Sequence, residues 1–283
     1  MPESLSQVAT RLIVSLNSTD ALAFSFLPPG EIATLLVDNN STDDTVAKAR
    51  QLGYRILDMG YNAGYARAIN AGLRVIETPL VLILNPDLRL PLHELSNLVQ
   101  AAQCYPEADI LVPRLFSPDN REFFRFETRF EARTRHRHPP QGDASIRAMS
   151  GAAMLVRRQP FLDAGGFDEN IFLYFEDDDV AFRFCKAKKP IVYVHGASAE
   201  HLGNASSKTD AKLAYLKQKS LGWSWAYCMR KHGLGNRFLS LLAILGKIIG
   251  HAATFQTAKL RRDIAYLDGF LSALRGRPAP FPD

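Results

Sequence analysis

Residues 81–90 read VLILNPDLRL. An aliphatic run that begins at Leu80 stops abruptly at an amide, a helix breaker and a carboxylate: Asn85, Pro86 and Asp87. One reading is a strand closed by ordinary turn residues, since Asn, Pro and Asp all favour turns. The other is a buried parallel strand whose carboxyl end presents Asp87 where open α/β sheets bind their ligands. The rest of the chain has to choose.

Outward from this stretch, RLIVSL (11–16), IATLLV (32–37), YRILDM (54–59), LVLIL (80–84) and ADILVP (108–113) all read as strands. Several are apolar throughout, which suits a parallel sheet covered on both faces. Residues 43–52, 64–77 and 91–104 read as helices between them, the first behind a capping signature at Ser41-Thr42-Asp43-Asp44. Strand and helix in alternation predict a doubly wound α/β domain. The Arg- and aromatic-rich stretch 117–140 has weak periodicity, ends in Pro139-Pro140, and reads as a long, partly mobile loop. SGAAMLVRR (150–158) and IVYVHG (191–196) read as further strands, and IFLYFEDDDVAFRFC (171–185) carries an acidic cluster into a helix. From about Lys208 the pattern is helical. The expected division is a domain of residues 1–220 and a helical extension, 221–283.

The chain has 283 residues, 47% hydrophobic and 22% charged, which is the make-up of a folded protein and not of a disordered one. Cys104, Cys185 and Cys228 are odd in number and form no CxxC pair, which argues for reduced thiols and against a zinc ribbon. MPESLSQVATR carries an acid early and no apolar core of a signal peptide, so the expected compartment is cytoplasmic. The formal charge of +5 is concentrated in Arg121–Arg137 and again between Arg230 and Arg277. Basic tracts of this kind can meet nucleic acid, anionic membrane or phosphorylated small molecules.

The polar clusters follow the strand ends. Asn17, Asp38 and Asp87 each come just after an apolar run, so a parallel sheet brings them to one edge and one crevice. Taken singly, Asp38 with Asn39, Asn40 and Ser41 reads equally as a turn. In NAGYARAINAG (62–72), Asn62 and Gly64 lead into a helix whose free N–H groups would face an anion, with Arg67 one turn in; a glycine turn with a surface arginine is the plainer alternative. Glu176, Asp177, Asp178 and Asp179 stand together behind Phe172, Tyr174 and Phe175. Acids suit a helix's first turn, and Asp179 with Arg183 has ion-pair spacing. Four adjacent carboxylates also repel, so at least one is easily protonated, as a general base must be. Asp87 with His201 would make a pair for a hard divalent ion completed by water and phosphate oxygens.

In this order the pieces resemble the inverting family-2 glycosyltransferases of the GT-A fold, and most closely the bacterial rhamnosyltransferase-type members that build cell-surface polysaccharides. The resemblance rests on VDNNSTDDT (37–45), NAGYARAINAG (62–72), LNPD (84–87), SGAAMLVRR with GGFDENIFLYFEDDDVAFR (150–183), and HLGNASS (201–207). It implies a Rossmann-like, mixed but mainly parallel sheet with helices on both faces. It implies that Asp38 and Asn17 hold the nucleotide base, and that Asn62, Gly64 and Arg67 lie near the donor's diphosphate and ribose. Asn85-Pro86-Asp87 stands where the family carries its DxD motif, so Asp87 and His201 would hold Mg²⁺ or Mn²⁺, with an amide in place of the first acid. Asp177 aligns with the catalytic base; Gly151 and Ala152 with the segment beside the acceptor; Glu176 and Asp179 with residues that touch the acceptor or hold the site together.

The implied partners are a nucleotide-sugar donor, dTDP-rhamnose favoured, and a glycan or lipid-linked oligosaccharide acceptor. From Gly222 onward the resemblance carries no motif. There Trp223, Trp225, Phe238, Leu241, Leu242, Ile244, Leu245, Ile248 and Ile249 mixed with Arg and Lys suit either an interfacial helix on the inner membrane or packing against the core or a second subunit. Two rival classes compete with the enzyme: a non-catalytic assembly subunit that keeps the fold, and a basic nucleic-acid binder. The second has no need of polar residues gathered at three strand ends.

Overall fold

The apolar runs form strands where the pattern predicts them, and a computed structural model describes residues 5–25, 31–131, 138–202 and 211–280. In chain order the first elements are α1 (Leu5–Val8), β1 (Ala9–Ser15), α2 (Thr19–Phe24), β2 (Ala33–Asp38), α3 (Thr45–Gln51), β3 (Arg55–Asp58) and α4 (Gly64–Val75). Next come β4 (Leu80–Leu84), β5 (Leu88–Arg89), α5 (Leu92–Cys104), β6 (Ile110–Phe116), β7 (Glu122–Phe123), β8 (Ala144–Ile146) and β9 (Ala153–Arg157). The chain then continues through α6 (Arg158–Asp163), α7 (Glu176–Lys186), β10 (Ile191–His201), α8 (Ala211–His232), α9 (Arg237–Ala253) and α10 (Thr257–Leu274). It divides into two compact units, Met1–Asp168 with Asp177–Lys208, and Glu169–Glu176 with Thr209–Asp283. Helix α8 is continuous across residue 220, the boundary expected from the sequence.

In the first unit the strand order is β3-β2-β1-β4-β9-β6-β10-β5, with β7 beside β6 and β8 beside β10. Strands β1, β2, β3 and β4 are parallel, and β6 and β10 run with each other. Strand β9 lies antiparallel between β4 and β6. The sheet is thus mixed and mainly parallel, as expected. Successive residues of β4 alternate between the two cores: Val81 and Ile83 pack with α4 residues such as Ile69 and Leu73, while Leu80, Leu82 and Leu84 pack with Leu95 and Leu98 of α5. A strand buried on both faces needs an apolar residue at every position, which is why LVLIL has no polar alternation.

Four expectations change. Strand β1 starts at Ala9, two residues before the predicted run, so Arg11 lies inside it: Arg11 is 1% exposed and donates to Thr34, to the Ser25 carbonyl at 2.6 Å and to the Tyr54 hydroxyl at 2.7 Å. Helix α3 starts at Thr45, two residues later than the capping signature predicts, because Asp43 bonds the Thr45 amide at 3.0 Å and Asp44 provides no side-chain cap. The 117–140 stretch is not simply a loop. Its β7 pairs with β6, and Phe124 and Phe126 pack on the core; residues 132–137 lie outside the described residues. The last strand runs on to His201 through a bulge between Val194 and Ser198. Helix α5 holds that bulge, Asn97 donating to the Gly196 carbonyl at 2.6 Å and Glu94 accepting from the Ser198 amide and hydroxyl.

The second unit is helical. Helices α8 and α10 touch backbone to backbone at Gly222 and Gly269, where any Cβ would run into the carbonyl oxygen of Tyr266 or Lys219. Their core is Phe172, Trp223, Ile244 and Phe270, and the Trp223 indole N–H donates to the Arg277 carbonyl at 3.0 Å.

Candidate active site

Because β1, β2 and β4 are parallel, their carboxyl ends share one edge, and the three polar strand-end residues come there together. Asp38 closes β2 and is 3% exposed. One of its carboxylate oxygens accepts from the Ser41 amide (2.8 Å) and the other from the Ser41 hydroxyl (2.6 Å). Asn17, at φ 51°, joins the same turn: its amide donates to Ser41 Oγ at 2.9 Å, and its side-chain oxygen accepts from the Thr42 amide at 2.8 Å. Asn39 ties this turn to the start of α4, accepting from the Ala63 amide and donating to the Gly64 carbonyl, each at 3.2 Å. The Asn62 side chain accepts from the Gly64 amide at 3.2 Å, and Gly64 stands at φ 78°, a conformation that favours glycine. Arg67 lies half-buried one turn into α4.

The end of β4 is built differently. The Asn85 amide donates to the Ala152 carbonyl at 2.8 Å, which anchors the turn to the segment before β9. Asp87 is 1% exposed, and its carbonyl accepts from the Leu202 amide at 3.0 Å. His201, at the end of β10, brings Nε2 to 3.4 Å from Asp87 Oδ2. Asp87 Oδ1 is buried and has no hydrogen-bond partner among the described residues. A buried carboxylate oxygen without a donor costs free energy unless something else satisfies it, and a divalent cation does so. Oxygen and imidazole ligands both suit Mn²⁺, so the donor set fits the metal that the sequence implies. Among the described residues no group of three or more His, Cys, Asp or Glu side chains is placed to hold a metal. Among the described residues Asp87 and His201 would thus be two ligands of such an ion, with substrate oxygens or water completing the set. Residues 203–207 of the HLGNASS motif lie outside the described residues.

The acidic cluster opens α7. Tyr174 and Phe175, immediately before it, stand at φ 68° and 67°, left-handed conformations that are uncommon for bulky side chains. Asp177 accepts from the Gly151 amide at 3.2 Å through one oxygen and from the Asp178 amide at 2.8 Å through the other. A side chain at Gly151 would press on Asp177, its Cβ 3.4 Å from the Asp177 Cβ, and the Tyr65 hydroxyl donates to the Gly151 carbonyl at 2.6 Å. Asp179 is fully buried and paired with Arg183 at 2.9 Å, and Arg183 also donates to the Ala164 carbonyl at 2.7 Å and to the Gly166 carbonyl. Glu176 is half-buried at the first position of the helix.

Sequence reasoning missed Arg125. It lies in the stretch read as a loop, yet its guanidinium sits 2.9 Å from Asp178 and 3.8 Å from Asp177, and donates to the Met149 carbonyl at 3.0 Å. The Arg129 amide also donates to Asp178, at 3.0 Å. Asp178 is the acid of the cluster whose carboxyl is pushed up, first by burial and then by the Asp177 charge, against the opposing pull of Arg125. The described arginines of the basic tract are thus spoken for, with Arg121 paired to Asp119 at 3.0 Å. A cavity of about 430 Å³ adjoins the cluster, lined among others by Phe124, Arg125, Met149, Ser150, Asp177 and Tyr193. On its wall Glu122 accepts from the Tyr193 hydroxyl at 2.6 Å and from Arg114 at 3.0 Å. Burial alone would raise the Glu122 carboxyl, but those two donors more than offset it, and burial beside Glu122 pushes the Tyr193 phenol up.

The 150–152 turn joins the two halves of this arrangement, one residue bound to Asp177 and the next to Asn85. The family model of glycosyl transferase family 2 matches residues 7–164. The chain belongs to that family. The matched range takes in Asn17, Asp38, the α4 start and Asp87, and ends before Asp177. The chain is 29% identical over 203 residues to the N-acetylglucosaminyl-diphospho-decaprenol L-rhamnosyltransferase of Mycobacterium tuberculosis, a match that spans 60% of this chain and 66% of that relative. Among solved structures it is similar to the mannosyltransferase PcManGT from Pyrobaculum calidifontis in complex with GDP-Man and Mn²⁺ (TM-score 0.57, 11% identity, 94% of this chain and 86% of that one). It is similar also to S. aureus TarS 1–349 in complex with UDP-GlcNAc (TM-score 0.53, 14% identity, 95% and 92%). The fold of this glycosyltransferase is GT-A.

Proposed function

We propose that this glycosyltransferase moves a sugar, L-rhamnose by preference, from a nucleotide diphosphate to a hydroxyl of a growing, lipid-linked cell-surface glycan, with inversion and with a divalent metal. The observation that carries the reading is the unsatisfied Asp87 oxygen beside His201, joined through the 150–152 turn to a carboxylate that lines a cavity. Rhamnose and the lipid-linked acceptor rest on the mycobacterial relative's name, and metal use also on the Mn²⁺ held by a neighbour of the same fold.

In this reading the turn of Asn17 and Asp38 receives the base; each Asp38 oxygen keeps a lone pair beyond its bond to Ser41. Asn62, Gly64 and Arg67 receive the diphosphate at the start of α4. Asp87 and His201 would hold Mg²⁺ or Mn²⁺, which when bound would supply positive charge beside the diphosphate. The acceptor sugar enters the cavity and presents its hydroxyl to Asp177. Asp177 takes the proton as the acceptor oxygen bonds to the anomeric carbon, and the bond from that carbon to the phosphate oxygen breaks with its electron pair. One displacement without a covalent intermediate inverts the configuration. The Gly151 amide and Arg125 aim Asp177, and Gly151 and Ala152 border the acceptor's path.

The test is thermal stabilisation by nucleoside diphosphates and nucleotide sugars with and without Mn²⁺, followed by NMR of the product's anomeric centre. One nucleotide should stabilise the protein, more so with Mn²⁺, and the product should be inverted. Folded protein that responds to no nucleotide would instead be a non-catalytic assembly subunit.

A further inference from the structure

Helix α9 carries large apolar residues on two faces, and its own helical unit uses one of them. Ile244 is buried, and Leu241 and Ile248 pack on the Trp223–Phe270 cluster. Phe238, Leu239, Leu242, Leu245 and Ile249 are 65, 61, 48, 38 and 68% exposed. At 100° per residue, positions 238, 242, 245 and 249 form one stripe along the helix, with 239 at its margin. Phe255, at the turn into α10, is 88% exposed. Single exposed apolar residues need no explanation, but a contiguous stripe marks a surface with an occupant.

The charge around the stripe says which occupant. From Gly233 to Arg262 the chain has no Asp or Glu, while Arg237, Lys247, Lys259, Arg261 and Arg262 are all exposed. A second copy docked here would bring together two tracts that carry cations and no carboxylate between Gly233 and Arg262. An anionic bilayer offers the apolar side chains a boundary of acyl chains and the cations a plane of phosphates. Among the described residues no helix is long and apolar enough to cross a membrane, so α9 would lie along the surface.

We infer that the exposed stripe of α9 docks on an anionic lipid surface, apolar side chains at the acyl boundary, drawn there by the net positive charge of the acid-free tract that carries it. Of the tail residues that the sequence offered to lipid, Trp223 and Ile244 are interior to the helical unit and Trp225 lies 5.4 Å from Phe175 at a tilted angle, whereas Phe238, Leu242, Leu245 and Ile249 are exposed.

The experiment is flotation of the full chain with vesicles of phosphatidylglycerol and phosphatidylethanolamine, or of phosphatidylcholine alone, beside analytical ultracentrifugation without lipid. The chain should float with the anionic vesicles and far less with phosphatidylcholine. Leu242→Gln with Ile249→Gln should cut partition by roughly tenfold or more at an unchanged melting temperature, both positions being exposed. Lys259→Gln with Arg261→Gln and Arg262→Gln should weaken binding to anionic vesicles alone. The inference falls if the folded chain does not float, or if the apolar variant floats as well as the wild type. It also falls if the chain is a lipid-free dimer that the apolar variant makes monomeric, which assigns the stripe to a second copy.

Discussion

Asp38 ends β2 and Asp87 follows the end of β4 by three residues; these strands lie on either side of β1, and both acids are almost fully buried, yet their surroundings are opposite. Around Asp38 the edge is finished: Ser41, Asn17, Thr42, Asn39 and Asn62 close a ring of hydrogen bonds within the fold. Around Asp87 and the acidic cluster it is not. One Asp87 oxygen has no donor, Asp178 is pushed toward protonation, and Asp177 lines an open cavity. Two buried carboxylates at one edge of the sheet thus differ: one has both oxygens bonded within the fold, and the other keeps an oxygen with no donor among the described residues. Changes around Asp38 should be felt in stability as well as in nucleotide affinity, and changes around Asp87 in metal response and activity without a loss of stability.

The largest effect should come from Asp177→Asn, which keeps the shape of the side chain and removes its capacity to take a proton. Transfer should fall about a thousandfold while nucleotide affinity by calorimetry is unchanged. Retention of full turnover would dismiss Asp177 as the base.

Arg125 comes next, because it reaches Asp177 and Asp178 together. Arg125→Ala should lower kcat by roughly ten- to a hundredfold with little change in the donor's KM, a misplaced base being costly even when present. Arg125→Lys should recover part of that loss. A rise in donor KM with kcat intact would move Arg125 to the donor's side of the site.

The comparison itself is broken or sharpened by Asp38→Ala against Asp87→Ala. Losing the two Asp38 bonds should cost about 2 kcal/mol and lower the melting temperature by a few degrees. Asp87→Ala should leave the melting temperature of the metal-free protein unchanged or higher, since it removes an unsatisfied buried charge, and should abolish the extra stabilisation by Mn²⁺. Equal destabilisation by both would end the distinction.

The smallest effect is a pH dependence. The folded Asp178 carboxyl holds its proton to higher pH than the unfolded one, so its contribution to stability is greatest at low pH and is lost as pH rises from the ordinary 3.8 through the folded value. Urea denaturation should show wild type losing stability over that window relative to Asp178→Asn. Parallel curves would mean that Arg125 cancels the burial.

The fold was legible because its cause is local. Five short apolar-rich runs, several of them apolar throughout, between amphipathic segments leave little but a covered parallel sheet, and parallel strands bring Asn17, Asp38 and Asp87 to one edge by topology alone. The Asp179–Arg183 pair was legible for the same reason, being set by helical spacing. Arg125 was not, since nothing within a dozen residues of it announces a carboxylate more than fifty positions away. Nor was Arg11, whose three partners come from separate segments of the chain.

The sequence by itself determined which residues end strands, which helix begins with four acids, and that the C-terminal region is apolar and basic together. Only the tertiary structure decided which carboxylate is satisfied and which is not, and which apolar face of α9 is covered. Periodicity along the chain says where a side chain points relative to its neighbours in sequence. Whether a donor, a packing surface or solvent waits there depends on residues brought in from elsewhere, and those arrive only when the chain has folded.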